Sequence, residues 1–141
     1  MIVVDASVVV KWIKQDEEDV NIALSLYSSH LKKKEIIVVP RLLFYEVANF
    51  LATKPHATPT TIKVNLEFLF NTNLNIQIED DKELREAVLL AQKYHTSVYD
   101  MLYAVIAKNK KCILITADEN FIKKTKFKHV KLLRELVKKV S

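Results

Sequence analysis

The chain has 141 residues, half of them hydrophobic and 28% charged, with a formal charge of +5. This balance excludes a disordered chain and fits one soluble globular domain spanning 1–141. Glycine is absent altogether, which excludes the glycine-rich phosphate loops of the Rossmann and P-loop kinds.

The first apolar segment, "IVV" at 2–4, reads as a buried strand that runs straight into Asp5. Residues 7–13 read as a short helix beginning at the Ser7 hydroxyl, and 19–34 carry Val20, Ile22, Ala23, Leu26, Tyr27 and Leu31 at helical spacing. "EIIVVP" is a second buried strand closed by Pro40, and "RLLFYEVANFLATK" a helix that stops before Pro55. A connection, "HATP", leads to a helix from Thr58 to Phe70. "LNIQIED" is a third strand, "KELREAVLLAQKYH" an amphipathic helix, and "SVYDMLYAVIAKNK" a helix apolar almost all round. "CILIT" is a fourth strand, "DENFIKKT" a short helix, and "HVKLL" a fifth strand with a terminal helix or tail after it.

Strands that alternate with helices, and that are β-branched without polar interruption, specify an α/β fold. The expectation is a parallel sheet of four to five strands with helices on both faces. In such sheets ligands bind beyond the carboxyl ends of the strands, near the topological switch point. No apolar run approaches the ~20 residues of a membrane span. No basic segment precedes the first strand as in a signal peptide. The single cysteine, Cys112, reads as a small buried strand residue and fits a reducing, cytoplasmic setting. Lysine runs such as "LKKKE", "KNKK" and "KKTKFK" read as solvated faces that also suit a polyanion.

Carboxylates stand at the strand ends and helix starts where such a sheet binds ligands. Asp5 follows the first strand directly and Asp118 follows the fourth after one alanine. Asp100 lies in the first turn of the helix that begins near Ser97. Each has a plain alternative. Asp118 suits a helix N-cap, Asp100 a capping box with Ser97, and Asp5 the free N–H groups of the next helix. Glu46 is different. At about 100° per residue it falls between Leu42 and Phe50, at the edge of an apolar arc formed by Leu43, Phe44, Val47, Phe50 and Leu51. A carboxylate there needs a cation: a lysine in a buried pair, or a metal ion. Together the four acids would converge on one sheet edge, where a divalent ion relieves their repulsion. Oxygen-only ligands favour Mg²⁺ or Mn²⁺ over Zn²⁺, and the four histidines show no ligand spacing.

With these residues in place the sequence resembles the PIN-domain ribonucleases of the VapC toxin type, from VapBC toxin–antitoxin pairs. "VVDASVVVKW" resembles the family's opening, with Asp5 as its first acid and Ser7 in its hydroxyl position. "VPRLLFYEVANFL" resembles the second block and places the family's glutamate on Glu46. "TSVYDMLYAVIAKNKKCILITADENF" resembles the third and fourth, with Asp100, Asp118 and the threonine Thr116 of the T-x-D element. The absence of glycine near the site is a departure from many relatives.

The resemblance implies a Rossmann-like PIN domain that hydrolyses RNA phosphodiester bonds with Mg²⁺ or Mn²⁺. Asp5, Asp100 and Asp118 would hold the metal, and Glu46 would ligate it or position the attacking water. Ser7 and Thr116 would support the carboxylates. It also implies a VapB-type antitoxin and a homodimer, with no membrane role. Lys11 and Arg41 are the candidate RNA-phosphate contacts. For Trp12 and Tyr45 core packing outweighs base stacking. The almost wholly apolar helix around Asp100, and those at 41–53 and 58–70, are either core or dimer interface. Two other readings stand beside this one: a PIN-fold protein that binds RNA or a partner without cutting, and a phosphotransfer protein of receiver or haloacid-dehalogenase type.

Overall fold

A computed structural model describes residues 1–16 and 18–139; the last two positions of the expected 1–141 domain lie outside the described residues. The elements follow in order as β1 (Ile2–Val4), α1 (Ala6–Ile13), α2 (Val20–Leu31), β2 (Ile37–Pro40), α3 (Leu42–Thr53), α4 (Pro59–Phe70) and β3 (Asn75–Gln77). Then come α5 (Asp81–Tyr94), α6 (Val98–Asn109), β4 (Ile113–Thr116), α7 (Glu119–Thr125), β5 (Val130–Leu132) and a closing 3₁₀ helix (Leu133–Lys139).

The five strands form one sheet in the order β3-β2-β1-β4-β5, and every neighbouring pair is parallel. The central strands β1, β2 and β4 are Ile-, Val- and Leu-rich because both faces are covered. The chain steps from β1 outward to β2 and β3, then crosses back past β1 to β4 and β5. The usual right-handed crossovers therefore put α1–α4 on one face and α5–α7 on the other. This order, with β1 in the middle, differs from the 2-1-3-4-5 order of receiver domains and removes the receiver form of the phosphotransfer reading.

The third strand is shorter than expected. β3 has only β2 as a neighbour, and Ile78, just beyond it, is 78% exposed; with no second partner the pairing ends early. α1 starts one residue before Ser7, with Asp5 at its N-cap position. The apolar helix α6 belongs to the core: Met101 to Ala107 are all buried, and it packs across β1, β2 and β4. Its surplus of apolar surface is thus absorbed within the chain. Cys112 is half-buried and precedes β4.

Candidate active site

Adjacent parallel strands bring the first and last acids to one edge. β1 and β4 pair with Val4 opposite Ile115, so Asp5 emerges beside Thr116, and Asp118 follows two residues later. This is the switch point of the sheet, where chain direction reverses around β1. Glu46 lies on α3, which follows β2 on the other side of β1. Asp100 lies in the first turn of α6.

Asp5 occupies an N-cap position, yet its carboxylate makes no cap hydrogen bond. Instead the Ser7 hydroxyl donates to Oδ1 and the Thr116 hydroxyl to Oδ2. The same two hydroxyls accept backbone N–H groups of the next turn, Ser7 from Ala117 at 2.9 Å and Thr116 from Asp118 at 3.0 Å. The result is a clasp between the ends of β1 and β4. Asp118 does cap its helix: Oδ1 accepts from the Phe121 N–H at 3.1 Å. α6 is capped by Ser97, whose hydroxyl accepts from the Asp100 N–H at 3.0 Å, so capping falls to the serine.

Glu46 is half-buried, as its position beside the apolar arc of α3 requires. Among the described residues no lysine or arginine pairs with it. Its partner is Tyr103, whose phenol donates to Oε1 at 2.5 Å. Of the two cations expected from sequence, the lysine of a buried pair is thus replaced by a neutral hydroxyl.

Burial pushes the Asp5 carboxyl up to about 6, against the two hydroxyl bonds that favour its charge and with help from the negative charge of Asp100. Burial likewise raises Glu46, partly offset by the Tyr103 bond and reinforced by Asp100. Asp100 is raised by burial and by Asp118, while Ser97 and the Lys124 ammonium hold it down. Asp100 is thus the common electrostatic neighbour of the other three acids. Burial, then Glu46, Asp5 and Asp100, push the Tyr103 phenol far above its ordinary value, so it stays a donor.

Among the described residues no three His, Cys, Asp or Glu side chains are gathered closely enough to form a ready-made metal shell. The donors nevertheless suit a hard divalent cation in kind, being carboxylate and hydroxyl oxygens with no sulfur or imidazole. One Glu46 oxygen is already taken by Tyr103.

The outer residues are arranged differently from expectation. Lys11 is buried, 7% exposed, and its ammonium donates to the Glu18 carbonyl at 2.7 Å; this takes it off the accessible surface an RNA phosphate would need. Arg41 is exposed, with its guanidinium 4.7 Å from the Phe44 ring centroid and 5.8 Å from that of Tyr45. Trp12 packs in the core and donates its indole N–H to the Ala23 carbonyl. Tyr45 does not pack in the core; it is 66% exposed. Two residues at the site escaped the sequence reading. Tyr103 carried a usable signal, standing three residues after Asp100 and so on the same helix face. Lys124 stood in a lysine run that looked uniformly solvated; it donates to the His95 carbonyl at 2.8 Å beside Asp100.

Fold and site together define a parallel α/β protein with an acidic edge at its switch point. The chain belongs to the PIN domain family, whose model matches residues 2–127. PIN domains generally use divalent metal ions. Solved structures share the fold. PAE2754 from Pyrobaculum aerophilum superposes with a TM-score of 0.71 at 21% identity, over 98% of this chain and 94% of the other. VapC20 from Mycobacterium tuberculosis, a toxin that cleaves the sarcin–ricin loop, gives 0.68 at 13% identity, over 89% and 95%. VapBC2 from Rickettsia felis, bound to a DNA fragment from its promoter, gives 0.64 at 17% identity, over 94% and 97%. No curated protein matches the chain.

Proposed function

We propose that this chain is a Mg²⁺- or Mn²⁺-dependent endoribonuclease, the toxin half of a VapBC-type toxin–antitoxin pair. The observation that carries the reading is the electrostatic convergence of Asp5, Glu46 and Asp118 on Asp100 at one edge of the sheet. Four acids in that setting suit cation-assisted phosphodiester hydrolysis. Asp5, Asp100 and Asp118 would hold the ion, which when bound supplies an activated water and neutralises charge on the phosphate. The chain's own part is positional. Ser7 and Thr116 orient Asp5 by donating to both of its oxygens. Glu46 offers its second oxygen to the ion or the attacking water. Arg41 and Lys124 offer cations to RNA phosphates along the rim.

A VapB-type antitoxin as partner is supported by the PIN membership and by the VapBC neighbour described above. A homodimer is supported by apolar side chains exposed on α5, namely Leu84, Val88 and Leu89. No helix among the described residues is long and apolar enough to cross a membrane.

The test is cleavage of structured RNA by the purified chain with Mn²⁺ or Mg²⁺. Excess EDTA should abolish it, and Asp5→Asn should lower it about 100-fold or more with the fold retained. Equal cleavage by wild type and Asp5→Asn sinks the assignment. A second reading, a PIN domain that binds RNA without cutting it, is favoured by one observation: the acids are too spread for a ready-made metal shell. It predicts tight RNA binding without cleavage in any divalent salt.

A further inference from the structure

The phenol of Tyr103 is placed where a structural tyrosine has no need to be. The side chain is 1% exposed and its ring belongs to the core, where phenylalanine would fill the same space. The hydroxyl instead leaves the apolar interior on the Asp100 face of α6 and meets Glu46 Oε1 at 2.5 Å, across 57 residues of sequence. The other charges that act on it are those of Asp5 and Asp100. A buried hydroxyl must find a partner, and here the partner is the one acid that comes from a covering helix of the opposite face. Glu46 is half-buried, has several rotatable bonds, and faces like charge. Without a tether it would swing toward solvent.

We propose that Tyr103 is a positioning residue: it anchors Glu46 by Oε1 and thereby leaves Oε2 as the single oxygen this glutamate presents to a divalent ion or its water. The proposal rests on the nuclease reading and deepens it, because it makes Glu46 a one-oxygen ligand of fixed direction. It also joins α3 to α6, so Glu46 and Asp100 keep their relative placement through a bond at the third position after Asp100.

The test uses four full-length proteins: wild type, Tyr103→Phe, Glu46→Gln and the double variant. Three quantities are read: Mn²⁺ affinity by calorimetry without RNA, kcat and KM on structured RNA, and circular dichroism with thermal unfolding as the check on folding. Tyr103→Phe should keep the spectrum and weaken Mn²⁺ binding about 10-fold, as loss of a partner that orients a ligand does. Its kcat should fall by about 10-fold or more, with KM little changed. In the Glu46→Gln background the same change should have no further effect on either quantity, since the bond it removes acts through Glu46. Wild-type Mn²⁺ affinity and kcat in Tyr103→Phe, or an equal loss in both backgrounds, would overturn the proposal and leave the nuclease reading standing. A wild type that neither binds Mn²⁺ nor cuts RNA overturns the nuclease reading, and the proposal with it.

Discussion

Asp5 and Lys124 show how individual side chains set the electrostatics of the acidic edge. Both oxygens of Asp5 receive a hydroxyl proton, so two neutral donors oppose the burial that would neutralise it. Asp100 has a cation instead: Lys124, tied by the His95 carbonyl, lowers a carboxyl that burial and Asp118 raise. Lys124→Ala should therefore raise the Asp100 carboxyl further and move the acid limb of the pH profile of kcat/KM to higher pH. As a rim cation it should also lose about 0.7 of the slope of log Kd against log salt for single-stranded RNA. A pH profile and salt slope identical to wild type would remove Lys124 from the site. These two residues also mark what was readable beforehand. Asp5 was legible because a carboxylate ending a buried strand is costly without a purpose. Lys124 was not, since nothing local separates it from Lys123 or Lys126.

Helix ends supply the next level. With no glycine in the chain, left-handed backbone falls on Asp19, Lys33, His56, Asn73, His95, Lys111 and Lys126. Lys33, His95, Lys111 and Lys126 stand at or just past the C-termini of α2, α5, α6 and α7, positions glycine usually fills. A side chain there carries a steric cost of about 1–2 kcal/mol, partly offset by the lower chain entropy of the unfolded state. Lys111 is exposed, and Lys111→Gly should stabilise the protein by about 0.5–1 kcal/mol, a Tm rise of about 2–3 °C. An unchanged or lower Tm would show that the bend is not strained. The helices and most of their ends were readable from periodicity and Pro55 to within about a residue, α2 excepted, whereas the left-handed turns that follow them were not, because lysine and histidine do not announce such a turn. The extent of β3 was misread for a related reason: Ile76 and Ile78 look like core residues until the edge position of the strand is known. Tyr45 was misread because one turn of α3 carries both buried Phe44 and exposed Tyr45.

At the scale of the whole molecule, the acidic edge is a cost that folding bears. The Asp5 carboxyl lies near 6 in the folded protein against an ordinary 3.8. The folded state thus holds a proton that the unfolded chain has already released. Asp5 favours folding most below the lower value, and that contribution is lost as pH rises through the upper one. By pH 7 roughly 3 kcal/mol is gone from this group alone, and Glu46 and Asp100 act in the same direction. In EDTA, the Tm should therefore rise by about 5–10 °C between pH 7.5 and pH 5. Mn²⁺ should raise it at pH 7.5 and do little at pH 5, where protons hold the site. A metal-free Tm that is flat or higher at pH 7.5 would show that Asp5 is not the strained group. The strand–helix alternation made the gathering of acids at one edge foreseeable, because β1 and β4 had to end together. That no shell is preassembled among the described residues was not foreseeable, since it depends on distances between elements far apart in the chain.

The clasp made by Ser7 and Thr116 has a dimensional consequence. It fastens together the tips of two neighbouring parallel strands, whose separation of about 4.8 Å is a constant of the peptide backbone. The spacing between the Asp5 and Thr116 strand ends is therefore inherited from sheet geometry and is closed to adjustment by mutation of any loop. Any change in how Glu46 and Asp100 stand to each other must come instead from α3 and α6, which the Tyr103–Glu46 bond joins.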